Sequence, residues 1–150
     1  MNKNTFLIAV SWAAVVACAG TIFWFSAQKA TESSETSGWL LFLLKLPVSE
    51  TFIRKAAHFL EFAGLGVLIF NAIYQTFGHW KPFVSFGITS AYAVCDEIHQ
   101  LFVEGRACRI FDWFIDSLGA AAGIFFLLGL IVIYLKIKGG YFMNEIIEKE

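Results

Sequence analysis

The residues best equipped for chemistry lie in three short clusters, each at the edge of an apolar run. One is Asp96-Glu97-Ile98-His99-Gln100, with Arg106 shortly after it. A second is Lys55-x-x-His58-x-x-Glu61, and a third is Asp112 with Asp116. Such groups are expensive near hydrocarbon and persist only where something pairs with them or uses them. If the clusters meet, His58 is the candidate general acid or base, with Glu61 or Asp96 orienting it and Glu97 as a further catalytic carboxylate. Lys55 and Arg106 would hold anionic oxygen. Gln100, Asp112, Asp116, Ser26 and Gln28 would complete a substrate-binding surface. His58, Glu61, Asp96 and Glu97 are also ligand types that suit a divalent metal such as zinc or manganese. Their spacing matches no metal motif, so a cofactor stays undefined.

The elements that must position these residues follow from composition. The 150 residues are 58% apolar and 15% charged, with 17 phenylalanines, far from the balance of a soluble domain. A bilayer can solvate that surface, and the expectation is an all-α integral membrane protein forming one domain over 1–150. A net charge of −1 without a basic stripe gives no sign of nucleic-acid binding. Cys18, Cys95 and Cys108 form no C-x-x-C pair, so neither a zinc knuckle nor a disulfide framework is indicated.

Four spans are expected, over about 6–25, 56–74, 82–102 and 113–135. The first is read as a retained helix. Val15-Val16-Ala17-Cys18 looks like a lipoprotein processing site, but the apolar run continues to Phe25 where a polar tether would follow. Trp39–Leu44, too short to cross, suits either a helix lying in the interface between helices 1 and 2 or a short packing turn. Pro82 suits the first turn of helix 3, and a full crossing places Asp96, Glu97 and Gln100 inside that helix's last turns. Four alternating spans bring the end of helix 1, the start of helix 2, the end of helix 3 and the start of helix 4 to one membrane face. The three clusters must therefore share that face.

Helical spacing refines this. Lys55, His58 and Glu61 step by three and share a face, as do the i,i+4 pairs Asp96/Gln100 and Asp112/Asp116. Asp96 and Glu97 lie about 100° apart on a helix and cannot easily share one partner. His99 lies off the Asp96 ridge and reads as a packed histidine. Gly119 to Gly123, all small, allow a neighbouring backbone to come close.

With the N-terminus inside, the inner ends carry Lys3, Lys81, Lys136, Lys138 and Lys149, and the outer ends carry Lys29, Lys45, Arg54, Lys55, Arg106 and Arg109. Setting aside Arg54, Lys55, Arg106 and Arg109 for site or pairing roles leaves five against two. This favours cytoplasmic termini and an outward polar cluster.

Phe25-Ser26-x-Gln28, Lys55-x-x-His58-Phe59-x-Glu61-Phe62, Asp96-Glu97-x-His99-Gln100-x-Phe102-Val103-x-Gly105-Arg106 and Asp112-x-x-x-Asp116-x-x-Gly119-x-x-x-Gly123 together resemble the VanZ-like family of bacterial membrane proteins. The resemblance runs through nearly the whole chain. It implies a small multi-span protein of the cell envelope, and, through the family's namesake, a link to resistance to the glycopeptide teicoplanin. It implies no particular reaction. Asp116 stands where the pattern commonly has Asn, which adds a potential charge, and Glu104 stands where a Pro often precedes Gly-Arg.

Two classes of function fit these residues. One is a protein that binds or modifies a membrane lipid or a lipid-linked peptidoglycan precursor in a one-sided polar cavity. The other is a non-enzymatic accessory or transport protein, in which Arg54, Lys55, Arg106 and Arg109 neutralise Glu61, Asp96, Glu97 and Asp112 as a structural ion-pair network. No polar path continues to the far side of the bundle, which counts against transport.

Overall fold

The computed structural model describes residues 3–147 except 32, 34, 36–38 and 40–47. Among the described residues it contains four long helices and no strand: α1 (Lys3–Ser26), α2 (Glu50–Phe77), α3 (Pro82–Gln100) and α4 (Ile110–Ile147). Three of them, α1, α2 and α4, are long and apolar enough to cross a membrane. The protein is thus an all-α membrane protein. The expected interfacial segment 39–44 lies, apart from an exposed Trp39, outside the described residues.

α2 starts six residues before the span expected from Ala56. Ser49 caps it, its side-chain oxygen accepting the Phe52 N–H at 3.2 Å, and Glu50 complements the positive end of the helix dipole. The helix begins where it is capped rather than where hydrocarbon begins. At the other end of the chain, α4 continues through Lys136 and Lys138 to Ile147. No proline interrupts it, and charged residues extend a helix into water without cost to its local hydrogen bonds. α3 ends at Gln100, two residues early, because 101–105 fold into tight turns.

α2 is the central element. Phe62, Leu65, Gly66, Ile69, Phe70, Ala72 and Ile73 recur at helical spacing and are buried. α1 packs on it in the opposite direction: Trp12 donates to Thr76 at 3.0 Å and Asn71 to Ser11 at 3.2 Å. α3 turns an unusual face inward, Ser85, Thr89, Ala93, Asp96, Glu97 and Gln100. The hydroxyls of its first half are satisfied locally, Ser85 by Lys81 O and Thr89 by Ser85 O. Large side chains such as Trp24, Phe83, Phe102, Ile110 and Phe126 lie on the outside, as expected where the solvent is lipid.

α2 and α4 run in the same direction and make the most extensive helix contact. A Cβ added at Gly119 would collide with the Phe59 backbone, and one at Gly123 with the Ala63 backbone. Gly66 in turn packs against the Ala120 backbone. The small residues of α4 therefore seat α2, as their spacing suggested. This close approach draws the bundle in just below the polar clusters and leaves space above.

Candidate functional site

The clusters do meet, at the end of the bundle where α1 and α3 finish and α2 and α4 begin. Between α2, the last turn of α3, the 105–109 loop and the start of α4 lies a cavity of about 100 Å³. Lys55, His58, Glu97, Gln100, Arg106, Asp112 and Asp116 all line it. So do Arg54 and Arg109, which sequence reasoning weighed only as pairing or orientation charges. Their signal was adjacency, since each lies in the same turn as a residue already singled out.

Behind the cavity, Asp96 is 2% exposed. Its Oδ2 accepts from Ser26 Oγ at 2.7 Å and from Gln100 Nε2 at 3.0 Å. The i,i+4 spacing of Asp96 and Gln100 thus becomes a hydrogen bond, and Ser26 brings in the end of α1. Its other oxygen, Oδ1, has no partner among the described residues. Glu97 points elsewhere, as the 100° step requires, and accepts the Arg109 backbone N–H at 2.8 Å. The two adjacent carboxylates take separate partners.

Arg106 makes no ion pair among the described residues. It donates from Nε to Gln28 O (2.8 Å), from Nη2 to Phe25 O (3.2 Å) and from Nη1 to Gln100 Oε1 (3.5 Å). A planar fork of donors suits this task, because it spans two backbone carbonyls and a side-chain amide at once. Burial lowers its pKa, and the like charge of Arg54 lowers it further, while Asp96, Glu97 and Glu61 act in the opposite sense. Gln28 contributes its carbonyl to this arrangement and does not line the cavity. Gly105, at φ 77°, makes the turn that delivers Arg106. A Cβ there would also press to 3.0 Å from Ala30 Cβ.

On the opposite wall Lys55 pairs with Asp112 at 2.5 Å, and this is the one Lys/Arg–carboxylate pair among the described groups of the cavity. His58 Nδ1 lies 3.7 Å from Glu61 Oε2, close enough for electrostatic attraction but too far for a hydrogen bond. Asp116, 2% exposed, lines the cavity with no hydrogen bond or ion pair among the described residues. His99 is packed, its ring stacked 4.0 Å from Phe23, and does not line the cavity. Below it all, Ser90 and Ser117 share a hydrogen bond of 2.8 Å, and Trp113 Nε1 donates to Ser90. These contacts tie α3 to α4.

Among the described residues no three His, Cys, Asp or Glu side chains gather in a way that could hold a metal ion. The chemistry available is instead that of a small, charged receptor. Cations at its rim can bind an anion, His58 can exchange a proton, and carboxyl groups can accept hydrogen bonds.

No curated protein and no solved structure matches the chain significantly. A family model does: VanZ/LLP1, over residues 11–134. That stretch contains α1 from Ser11, the whole of α2 and α3, every residue lining the cavity, and α4 to Tyr134. The chain therefore belongs to the VanZ/LLP1 family.

Proposed function

We propose that the cavity receives the polar headgroup of a membrane lipid or lipid-linked envelope precursor while the acyl chains stay along the apolar flank of the bundle. The observation that carries this reading is the number of charges left over. A structural network would spend its cations on its carboxylates, yet among the described residues lining the cavity only Lys55 and Asp112 form a Lys/Arg–carboxylate pair. Arg54 and Arg109 line the cavity with no ion pair among the described residues, and Arg106 is committed to carbonyls. Unpaired arginines at the mouth of a cavity are suited to bind oxyanions. His58, with Glu61 beside it, is the group for proton transfer should the bound headgroup be modified. The family's association with glycopeptide resistance is compatible with an envelope-lipid ligand.

The test is native mass spectrometry of the purified protein with its co-purifying lipids. Wild type is expected to retain a bound lipid, and the Arg54→Gln/Arg109→Gln double variant to lose it while its thermal midpoint stays unchanged. A wild type free of lipid, or a double variant that keeps it, would sink the proposal.

The same reading takes the protein as a four-span membrane protein with both termini in the cytoplasm and the cavity opening outward, on the Lys/Arg distribution. Cys108 lies exposed in the loop at the cavity end. On intact cells a membrane-impermeant maleimide should label it. Labelling only after the cells are broken would reverse the orientation.

A further inference from the structure

The polar groups of the cavity can be divided into those already engaged and those left for a ligand. Lys55 and Asp112 engage each other. Arg106 is held by Phe25 O, Gln28 O and Gln100, and Glu97 by the Arg109 N–H. Three charged side chains remain without a hydrogen bond or ion pair among the described residues, the guanidinium groups of Arg54 and Arg109 and the carboxyl group of Asp116, beside His58, whose Nδ1 has only Glu61 at 3.7 Å. Asp116 is 98% shielded and borders the cavity. Its carboxyl group, bordering the cavity and without a protein partner among the described residues, can take one from a ligand entering there.

The three lie at different depths. α2 and α4 are parallel, since Lys55 meets Asp112 while, further in, Phe59 meets Gly119 and Ala63 meets Gly123. Arg54 precedes Lys55, and Arg109 immediately precedes α4. Asp116 lies seven residues beyond Arg109, about 10 Å further along the axis at 1.5 Å per residue. Arg109 is therefore at the rim and Asp116 deeper, while Arg54, level with about residue 114 of α4 in the register set by Phe59/Gly119 and Ala63/Gly123, lies between them. A wholly anionic ligand reaching the floor would face Asp116, and a wholly cationic one would have to pass Arg54 and Arg109. A ligand with an anionic shoulder and a cationic tip satisfies both ends. The cavity of about 100 Å³ is well above what a single water needs and admits a small polar tip.

We infer that the ligand is a zwitterionic phosphoethanolamine-type headgroup, its phosphate held by Arg54 and Arg109 and its primary ammonium hydrogen-bonded to Asp116. This rests on the headgroup-binding reading and adds to it the charge pattern of the headgroup. The orientation also suits a lipid, because the acyl chains attach on the phosphate side and would leave through the mouth.

The experiment titrates the full-length protein in detergent with short-chain diacyl phosphoethanolamine, phosphoglycerol and phosphocholine lipids, read by native mass spectrometry. Wild type is expected to bind the ethanolamine lipid about tenfold or more tightly than the glycerol lipid, as a buried charge pair would give. Asp116→Asn should erase that preference. Equal binding of the two lipids by wild type, or a preference that survives in Asp116→Asn, overturns the inference and leaves the headgroup reading standing. Binding of none of the lipids by wild type overturns both. The comparison between lipids on wild type needs no variant, so a folding defect in Asp116→Asn does not blunt it.

Discussion

Replacing Gly119 by valine is expected to separate α2 from α4 and to cost about 3 kcal/mol or more, at the upper end of overpacking effects. The reason is what the new side chain would meet. A Cβ at Gly119 collides with the Phe59 carbonyl and lies 3.0 Å from its carbon and 3.1 Å from Phe59 Cα. These are backbone atoms inside a helix, so no rotamer change relieves the clash and α2 must move as a body. Lys55 and His58 lie on that same helix, and the cavity would lose a wall with it. Gly129 is the control, since nothing lies within 4 Å of a Cβ there, and Gly129→Val should keep the wild-type unfolding midpoint in detergent. If Gly119→Val unfolds at the same temperature as Gly129→Val, the helix packing described above is wrong.

Arg106→Met is expected to cost about 1.5–3 kcal/mol, the range for hydrogen bonds from a charged group, and Arg106→Lys a good part of the same loss. The guanidinium closes the chain's turn after α3 onto the end of α1 through Phe25 O and Gln28 O, and reaches back to Gln100. Lysine keeps the charge but has no planar fork to serve three acceptors in fixed directions. Amide exchange should therefore quicken in both variants at Ala30, whose N–H donates to Glu104 O at 3.3 Å, and at Arg106 itself, whose N–H donates to Val103 O. Protection unchanged in Arg106→Lys would mean that Arg106 acts through its charge alone and braces nothing.

What the sequence made legible was geometry that depends on counting. Helices that alternate in direction force Ser26, Lys55, Asp96 and Asp112 to one end, and an i,i+4 step forces Gln100 towards Asp96. Gly119 and Gly123 announced a close helix approach, although not that Phe59 and Ala63 would be the partners. Pairing was harder to read. Charges of opposite sign suggested an ion-pair network, whereas Asp96 is satisfied by a hydroxyl and an amide, Glu97 by a backbone N–H, and Arg106 partly by backbone carbonyls. Every residue has a backbone carbonyl, so no side-chain pattern marks the two that Arg106 selects. Arg54 and Arg109 were obscured for a related reason. A basic residue at the end of a span reads equally well as a topology signal, an interfacial anchor or a ligand-binding group, and only the cavity separates these. The start of α2 was marked by Ser49 and Glu50, a cap lying outside the apolar run used to set the span.

The central claim is that the cavity holds a headgroup rather than a closed set of ion pairs. Its most direct test is a high-resolution structure of the protein in nanodiscs made from cell-derived lipid. The account predicts headgroup density in the cavity, with a phosphate contacting Arg54 and Arg109 and the acyl chains running down the outside of the bundle. A cavity empty of lipid, with Arg54 and Arg109 folded onto Glu97 and Asp116 as direct salt bridges, would contradict it and return the cluster to a structural role.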